Sequence, residues 1–581
     1  MERTLQRELY AQLDKTPERQ ALAHINYRGE FSWCTLEEVY RQAAGYSARL
    51  AELGLGYGDV CLLVLPSDAF CARLLTATLL LGAVPLLVAP PVIQIKGRYS
   101  SLTQVLKHMI RKTKPQVVIA PEGMVAMREE LENILKKTRF VFGENSLSPC
   151  TSGAESLVAP KETDIAAMQL TSGTTGFPRV CVWQQKNVMA ALDGIALAMD
   201  LNNDDICLNW TPLYHDMGLV NNFLLCLTKG VPLVMLNPMD FVSKPALWLR
   251  GLSDVGSTIT WSPNFGFAIT AEIVRDDQIE GVCLNRVRAF WNAAERIHME
   301  TMRAFYKRFA PFGLSRESLK TNYGCAENIG GATFSDPHGP VIIEQVDEAM
   351  LQQEGIARPM PHTGDGQQVI QVVGVGRPCP GIEIEILSRN GQRLPEGHVG
   401  EVVLKTPSRM SSYLGQVRET RRAISGDLLR TGDLGYMRGD ELFWVGRLRE
   451  RITTLGKKLD PSDFERVLLR NPNLRHGCFA VFGVDDAQLG TQRVVVVTEV
   501  REAISRPYRD IMSDIQRQVY SQLGVKVYEV LLVPKGTLTK TSSGKRRHQY
   551  FRQRYLNGEL LSLRLVNREK EDSPHDSGEE N

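Results

Sequence analysis

Thr171, Ser172, Gly173, Thr174, Thr175 and Gly176 follow one another without interruption, and Arg179 comes three residues later. Such a run carries nothing with which to build a hydrophobic core. It offers hydroxyls and, at its glycines, unhindered backbone N–H groups that can close around a tetrahedral anion. The guanidinium behind it supplies a countercharge. An apolar run, Ile165 to Leu170, leads into the loop and argues for a fixed strand end rather than a free linker. The GxxxxGK[ST] spacing of a P-loop is absent, so ordinary P-loop chemistry is not indicated.

Further polar motifs follow in order: TPLYHDMGL (211–219), WNAAERI (291–297), NYGCAEN (322–328), TGD (431–433), GRLRERI (446–452) and KTSSGK (540–545). Among them stand an imidazole (His215), two carboxylates (Glu327 and Asp433) and an ammonium (Lys545). Taken singly, each has a bland reading. Aspartate in T-G-D is a common turn residue, Glu327 could be a surface acid, and Ser-Ser-Gly-Lys is usually a solvated turn.

The elements that must position these groups are those of an α/β protein. At 581 residues the chain exceeds one compact core, so two or more domains are expected. Apolar runs suited to buried parallel strands (60–66, 116–121, 206–210) alternate with longer helical patterns. LLGAVPLLV (80–88) recurs as LTKGVPLVM (227–235), a helix–turn–strand unit used twice. Residues 336–375 are rich in Gly, Pro and Gln with weak periodicity, and read as an inserted loop or small subdomain. A β-rich section follows up to Val445. From Gly446 to residue 566, strands at 478–484, 493–500 and 527–533 and a helix near 508–523 predict a small α+β domain. Residues 567–581 read as a disordered tail.

Composition excludes several function classes. Hydrophobic residues at 43%, charged residues at 23% and a net charge of +2 give no strong global field, so neither nucleic acid nor an anionic membrane is implied as principal partner. The 11 cysteines are scattered singly without zinc spacing, and Cys61, Cys207, Cys226 and Cys478 lie in apolar runs, as reduced cytoplasmic thiols would. No apolar leader opens the chain. Leu74 to Ile93 lacks charge but is broken by Gly82, Pro85, Pro90 and Pro91, so a helix and a short strand are expected there and not a membrane span.

The order of the polar motifs resembles the adenylate-forming superfamily of acyl-CoA synthetases, peptide-synthetase adenylation domains and luciferases, over nearly the whole chain. That resemblance implies a large N-terminal domain (1–445) of α/β subdomains plus a β-rich part, and a small, mobile C-terminal domain (446–566). It implies ATP and Mg2+ as cofactors. The loop Thr171 to Gly176, with Arg179, would cradle the β- and γ-phosphates, and Glu327 would hold magnesium through a hard oxygen ligand. Tyr323, flanked by Asn322 and Gly324, would lie on adenine, and Ala293, Ala294 and Glu295 would border the base. Asp433 would accept the ribose hydroxyls, Arg447 would sit near ribose or phosphate, Glu450 would be the hinge, and Lys545 would act in adenylation. The chain departs from the family pattern at Arg179 (usually lysine), Ala293 (commonly glycine), Glu450 (generally aspartate) and Thr539 (proline).

Within the superfamily, His215 replaces the aspartate with which peptide-synthetase domains hold an amino group, so an α-amino acid is disfavoured and His215 should border an acyl pocket. The apolar stretch 261–269 could wall that pocket or be core. PLYHDMGL and the insertion at 336–375 most resemble the fatty acyl-AMP ligases. That branch implies a fatty or other apolar carboxylic acid as substrate and a separate acyl carrier protein as acceptor, which the basic run Lys545, Arg546 and Arg547 could meet. The alternatives are an acyl- or aryl-CoA ligase, with CoA as acceptor, and a non-catalytic nucleotide-binding scaffold.

Overall fold

The computed structural model describes residues 2–90, 99–150, 159–171, 178–360, 369–486, 490–501, 506–541, 545–563 and 565. Ser172, Gly173, Thr174, Thr175, Gly176 and the tail 567–581 lie outside them. The described residues part into two compact units, one running to Val445 and one from Gly446.

Two twisted sheets dominate the large unit. One runs in the order Ser412–Tyr413, Val180–Gln184, Ile165–Leu170, Val84–Leu87, Val60–Leu63, Val117–Ala120, Arg139–Phe142. The other carries Gly330–Phe334, Leu319–Cys325, Ala289–Ala293, Ile259–Pro263, Cys207–Asn209, Leu233–Leu236 and Gln20–Ile25 side by side. Their central strands pair in parallel and are buried along both faces, which is why they read as unbroken aliphatic runs.

The repeated nine-residue pattern is a repeated structure. Helix Ala69–Leu80 stops before Gly82 (φ 71°) and feeds strand Val84–Leu87; helix Leu225–Lys229 stops at Gly230 (φ 66°) and feeds strand Leu233–Leu236. Each glycine takes the left-handed conformation that ends a helix at no steric cost. One copy sits in each sheet. Asp68 caps the first of these helices through the Cys71 N–H, and burial of every side chain from Leu74 to Leu80 explains the missing charges there. Among the described residues no helix is long and apolar enough to cross a membrane.

A third sheet, Glu383–Leu387, Gly400–Lys405, Leu428–Arg438 and Ile424–Ser425, forms the β-rich part. The described residues of the 336–375 segment, 336–360 and 369–375, are more ordered than their composition suggests. Ile343–Asp347 and Val369–Val373 form an antiparallel hairpin, with a short helix, Glu348–Gln353, after its first strand. Val346, Leu351, Ile370 and Val372 make a small core with Tyr436 and Phe443, whose rings stack at 4.9 Å. Glu344 accepts from Tyr436 Oη and Arg438 Nε, each at 2.8 Å.

The small unit holds strands Leu474–Asp486, Thr491–Val500 and Val527–Val533, joined in that order, first antiparallel and then parallel. Helix Tyr508–Leu523 lays Ile511, Ile515, Val519 and Leu523, a four-residue repeat, into its core.

Candidate active site

Leu170 and Val180 face each other across an antiparallel pair, so the polar loop is closed at its base. Thr171 N–H donates to the Arg179 carbonyl (2.9 Å), and Arg179 N–H returns a bond to Thr171 Oγ1 (3.1 Å). Both ends of the loop are thereby fixed at the shared end of two neighbouring strands.

Arg179 then extends its guanidinium over the ring of Tyr413, 4.9 Å from the centroid. Tyr413 sits on the edge strand Ser412–Tyr413, opposite Cys181. Its hydroxyl donates to Glu327 Oε1 at 2.7 Å. Burial and the adjacent Glu327 charge push the Tyr413 phenol well above its ordinary range, so it stays a neutral donor. Glu327 is also held by its backbone: its carbonyl accepts the Met410 N–H (2.8 Å), and the Ala326 carbonyl accepts the Trp183 indole N–H (2.9 Å). The motif carboxylate, the guanidinium and the loop base form one connected network. Tyr413 carries no motif signal in the sequence, and nothing local could have singled it out.

A second network joins Tyr323 and Asp433. The Tyr323 hydroxyl donates to Asp433 Oδ2 at 2.8 Å, and both side chains are buried. Burial, with the Asp433 charge beside it, holds Tyr323 far above the usual phenol range. Asp433 N–H donates to Thr431 Oγ1 (3.1 Å), whose own hydroxyl donates to the Val402 carbonyl (2.7 Å). Asn322, next to Tyr323, is 3% exposed, and its Oδ1 has no hydrogen-bond partner among the described residues. A buried acceptor without a donor is costly unless something fills the vacant position. Gly324 pairs so closely with Gly330 and Gly331 that a Cβ there would lie 2.2 Å from the Gly330 carbonyl.

Ala293 ends strand Ala289–Ala293 in ordinary geometry, and the strain falls one residue on, at Ala294, with φ 71°. Glu295 Oε1 accepts the Phe265 N–H at 2.6 Å and so fixes the start of helix Asn264–Ile273. His215 caps the short helix Asp216–Gly218: the Met217 N–H lies 3.2 Å from His215 Nδ1 and 3.0 Å from Asp216 Oδ1. Gln169 ties this segment to the loop-bearing strand by donating to the Tyr214 carbonyl (2.7 Å). Trp261 and Phe267, considered for a pocket wall, are fully buried among Trp248, Phe290, Trp291 and Phe305 and serve as core.

Three candidates belong to the small-unit side of the division. Arg447 ends strand Glu441–Arg447, Glu450 lies in the turn after it, and Lys545 precedes helix His548–Leu556. The basic run is not three outward charges. Arg546 pairs with Glu465 and Arg547 stacks on Tyr550, which corrects the expectation that both face an acidic carrier.

Two α/β sheets, a fixed base for the polar loop, a held acid and a buried Tyr–Asp pair, with a separate small α+β unit, define an adenylate-forming ligase. The AMP-binding enzyme family model matches residues 9–414, and the chain belongs to that family. A medium-chain-fatty-acid–[acyl-carrier-protein] ligase of Moorena producens, JamA, is 30% identical over 410 residues, 68% of each protein. A long-chain-fatty-acid–AMP ligase of Mycobacterium marinum, FadD26, is 25% identical over 582 residues, 94% of this chain and 96% of that one. A structure from work on the fatty acyl-adenylate ligases of E. coli and L. pneumophila superposes with a TM-score of 0.88 at 25% identity, over 96% of this chain and 99% of the other. The protein activates a carboxylic acid by adenylation.

Proposed function

We propose that the carboxylic acid is a fatty acid, activated with ATP to acyl-adenylate, and that the acyl group passes to the phosphopantetheine thiol of a separate acyl carrier protein. The observation that carries the first half is the network Thr171–Arg179–Tyr413–Glu327. It sets a cation and an acid beside the base of a loop rich in hydroxyl and N–H donors. His215 in place of an amino-group carboxylate, and the fatty-acid and carrier-protein specificity named for JamA, support the substrate and the acceptor.

A carboxylate oxygen attacks the α-phosphorus in line. The new P–O bond forms as the bond to pyrophosphate breaks, and the electron pair leaves with the pyrophosphate oxygens. An ionised carboxylate needs no general base. The side chains are therefore assigned to electrostatic work: the loop donors and Arg179 on the leaving phosphates, Lys545 on the charge that develops there. Tyr323 and Asn322 are assigned to the base, Asp433 to the ribose. Glu327 suits Mg2+: it is a hard oxygen donor, oriented through one oxygen by Tyr413. When bound, the ion supplies positive charge to the phosphate oxygens. In the second step a thiol attacks the adenylate carbonyl and AMP leaves.

Pyrophosphate release with a panel of fatty, aryl and amino acids tests the first step, and medium- or long-chain fatty acids are expected to give the highest kcat/KM. Preference for amino acids would overturn the substrate assignment, and no release with any acid would indicate a scaffold. Product chromatography with CoA and with a holo carrier tests the second step. Efficient acyl-CoA synthesis by the unmodified protein would make it a CoA ligase.

A further inference from the structure

The backbone on both sides of Lys545 is tied down by buried groups with no part in the chemistry above. Lys545 N–H donates to Thr541 Oγ1 (3.0 Å), and the Lys545 carbonyl accepts the Thr541 N–H (2.8 Å). The next residue, Arg546, pairs with Glu465 Oε1 at 2.6 Å and lies 4.6 Å from the centre of the Phe479 ring. Glu465 belongs to helix Pro461–Leu468 and Phe479 to strand Leu474–Asp486, so Arg546 bridges two elements of the small-unit core. Two residues further, His548 is buried, and its Nδ1 accepts the Val481 N–H at 3.0 Å. That bond requires the neutral ring to carry its proton on Nε2, which stands 4.0 Å from the same Glu465 oxygen. On the incoming side, Leu538 N–H donates to Glu499 Oε1 (2.7 Å), while Glu499 Oε2 pairs with Arg475 (2.6 Å). Two buried carboxylates thus hold the segment that carries the lysine, one before it and one after.

Ion pairs that bury a carboxylate seldom add much net stability, because desolvation offsets the attraction, so their use here calls for a positional reason. Lysine itself supplies that reason. Its ammonium rides on a flexible four-carbon stem, and what the fold can control is the place and direction of its Cα. A displacement of about 1 Å in a catalytic group costs on the order of a hundredfold in rate.

We propose that Arg546, Glu465 and His548 are positioning residues for Lys545: Glu465 grips Arg546, faces His548, and so fixes the backbone from which the ammonium is delivered to the polyphosphate. The inference rests on the reading of Lys545 as the adenylation lysine.

The test compares Arg546→Met, Glu465→Gln, Arg546→Lys and Lys545→Ala in the full-length protein. Three quantities are measured: kcat and KM in dodecanoate-dependent ATP–pyrophosphate exchange, and the Kd for dodecanoyl-sulfamoyladenosine, a stable acyl-adenylate analogue. Arg546→Met and Glu465→Gln are expected to lower kcat about tenfold to a hundredfold, with KM for ATP and analogue Kd within about twofold of wild type. Arg546→Lys, which keeps a charge for Glu465, is expected to recover most of the loss. Wild-type kcat in both Arg546→Met and Glu465→Gln, alongside an inactive Lys545→Ala, would overturn the inference and leave the Lys545 reading standing. A rise in KM and analogue Kd matching the fall in kcat would also overturn it, since general structural damage produces that pattern. Should Arg546→Met not fold, Glu465→Gln decides by the same criteria. Wild-type exchange by Lys545→Ala would overturn the reading and the inference together.

Discussion

At the scale of single residues, the site depends on phenols as much as on its motif carboxylates. Tyr413 joins Glu327 to Arg179, which gives a physical reason for arginine where lysine is usual: a planar guanidinium can lie flat on the ring, and a compact ammonium lacks that planar face. Tyr413→Phe keeps the ring under Arg179 and removes only the hydroxyl. A hydrogen bond to a charged group contributes about 1.5–3 kcal/mol. Adenylation should therefore fall by about one to two powers of ten, with a higher Mg2+ concentration needed for half-maximal rate and a melting temperature lower by a few degrees. Pyrophosphate exchange against Mg2+ checks this, and an unchanged Mg2+ requirement would remove Tyr413 from the site. Glu441 gives a second residue-scale prediction. Its carboxyl is buried, accepts the Gly376 N–H at 2.8 Å, and is pushed up to about 7 chiefly by burial. The folded state holds this proton more tightly than the unfolded chain. The associated stability is fully present below about pH 4.5 and is lost as pH rises through 7, at about 1 kcal/mol per pH unit. Glu441→Gln keeps an acceptor for Gly376 and cannot ionise, so it should be more stable than wild type at pH 8 and nearly equal at pH 5 in urea unfolding.

Among the elements, the strap after Lys545 titrates in the opposite sense. Burial lowers His548 to about 3, so the unfolded chain binds its proton first as the solution is acidified. The stability is present above about pH 6.5 and declines toward pH 3, again by about 1 kcal/mol per unit. The charged groups nearest the ring are Arg546 and Glu465. His548→Gln should be less stable than wild type at neutral pH and show a shallower acid limb in denaturant titrations between about pH 6 and 4. Equal slopes would mean that His548 is not buried neutral. The insertion hairpin is the other element whose form has a consequence. Its final residues are sewn between neighbouring strands: the Gly374 carbonyl accepts the Thr321 hydroxyl (2.8 Å), and the Val375 carbonyl accepts the Thr333 hydroxyl (2.5 Å). Thr321 directly precedes Asn322 and Tyr323, so the hairpin root braces the strand assigned to the base.

For the whole molecule, the property to test is the proposed preference for a carrier over CoA. CoA and a carrier present the same thiol, so discrimination would come from access or from how far the small domain can rotate. We assign it to the insertion between its two strands. Asp347 and Val369 face each other at the open end of the hairpin, close enough to be joined by a two-residue turn. Replacing the intervening residues with such a turn removes Leu351 and Ala357 from the small core but leaves Val346, Ile370 and Val372 against Tyr436 and Phe443. The shortened protein should form acyl-adenylate at the wild-type rate and give more acyl-CoA, as resolved by chromatography. Unchanged acyl-CoA yield with intact adenylation would free the insertion from that role.

What the sequence determined by itself is what short-range pattern can encode. Unbroken aliphatic runs marked the parallel strands, the pattern near 508–523 marked a helix, and the recurrence of Gly82-Ala83-Val84-Pro85 as Gly230-Val231-Pro232 marked one unit used twice. The Thr171–Gly176 run, Glu327, Asp433 and Lys545 stood out as candidates because few other roles collect those residue types in that order. Tertiary structure decided the rest. Tyr413 and Glu327 are 86 positions apart, and Tyr323 and Asp433 are 110 apart; no local periodicity relates them. The insertion looked like a loop because the aromatic part of its core, Tyr436 and Phe443, lies in another part of the chain. The Arg546 of a basic run became an internal strut for the same reason: a charge reads as solvated until a distant carboxylate, here Glu465, is folded against it. Pattern along the chain reports which face of an element is buried, and only the closed fold decides which polar groups meet there.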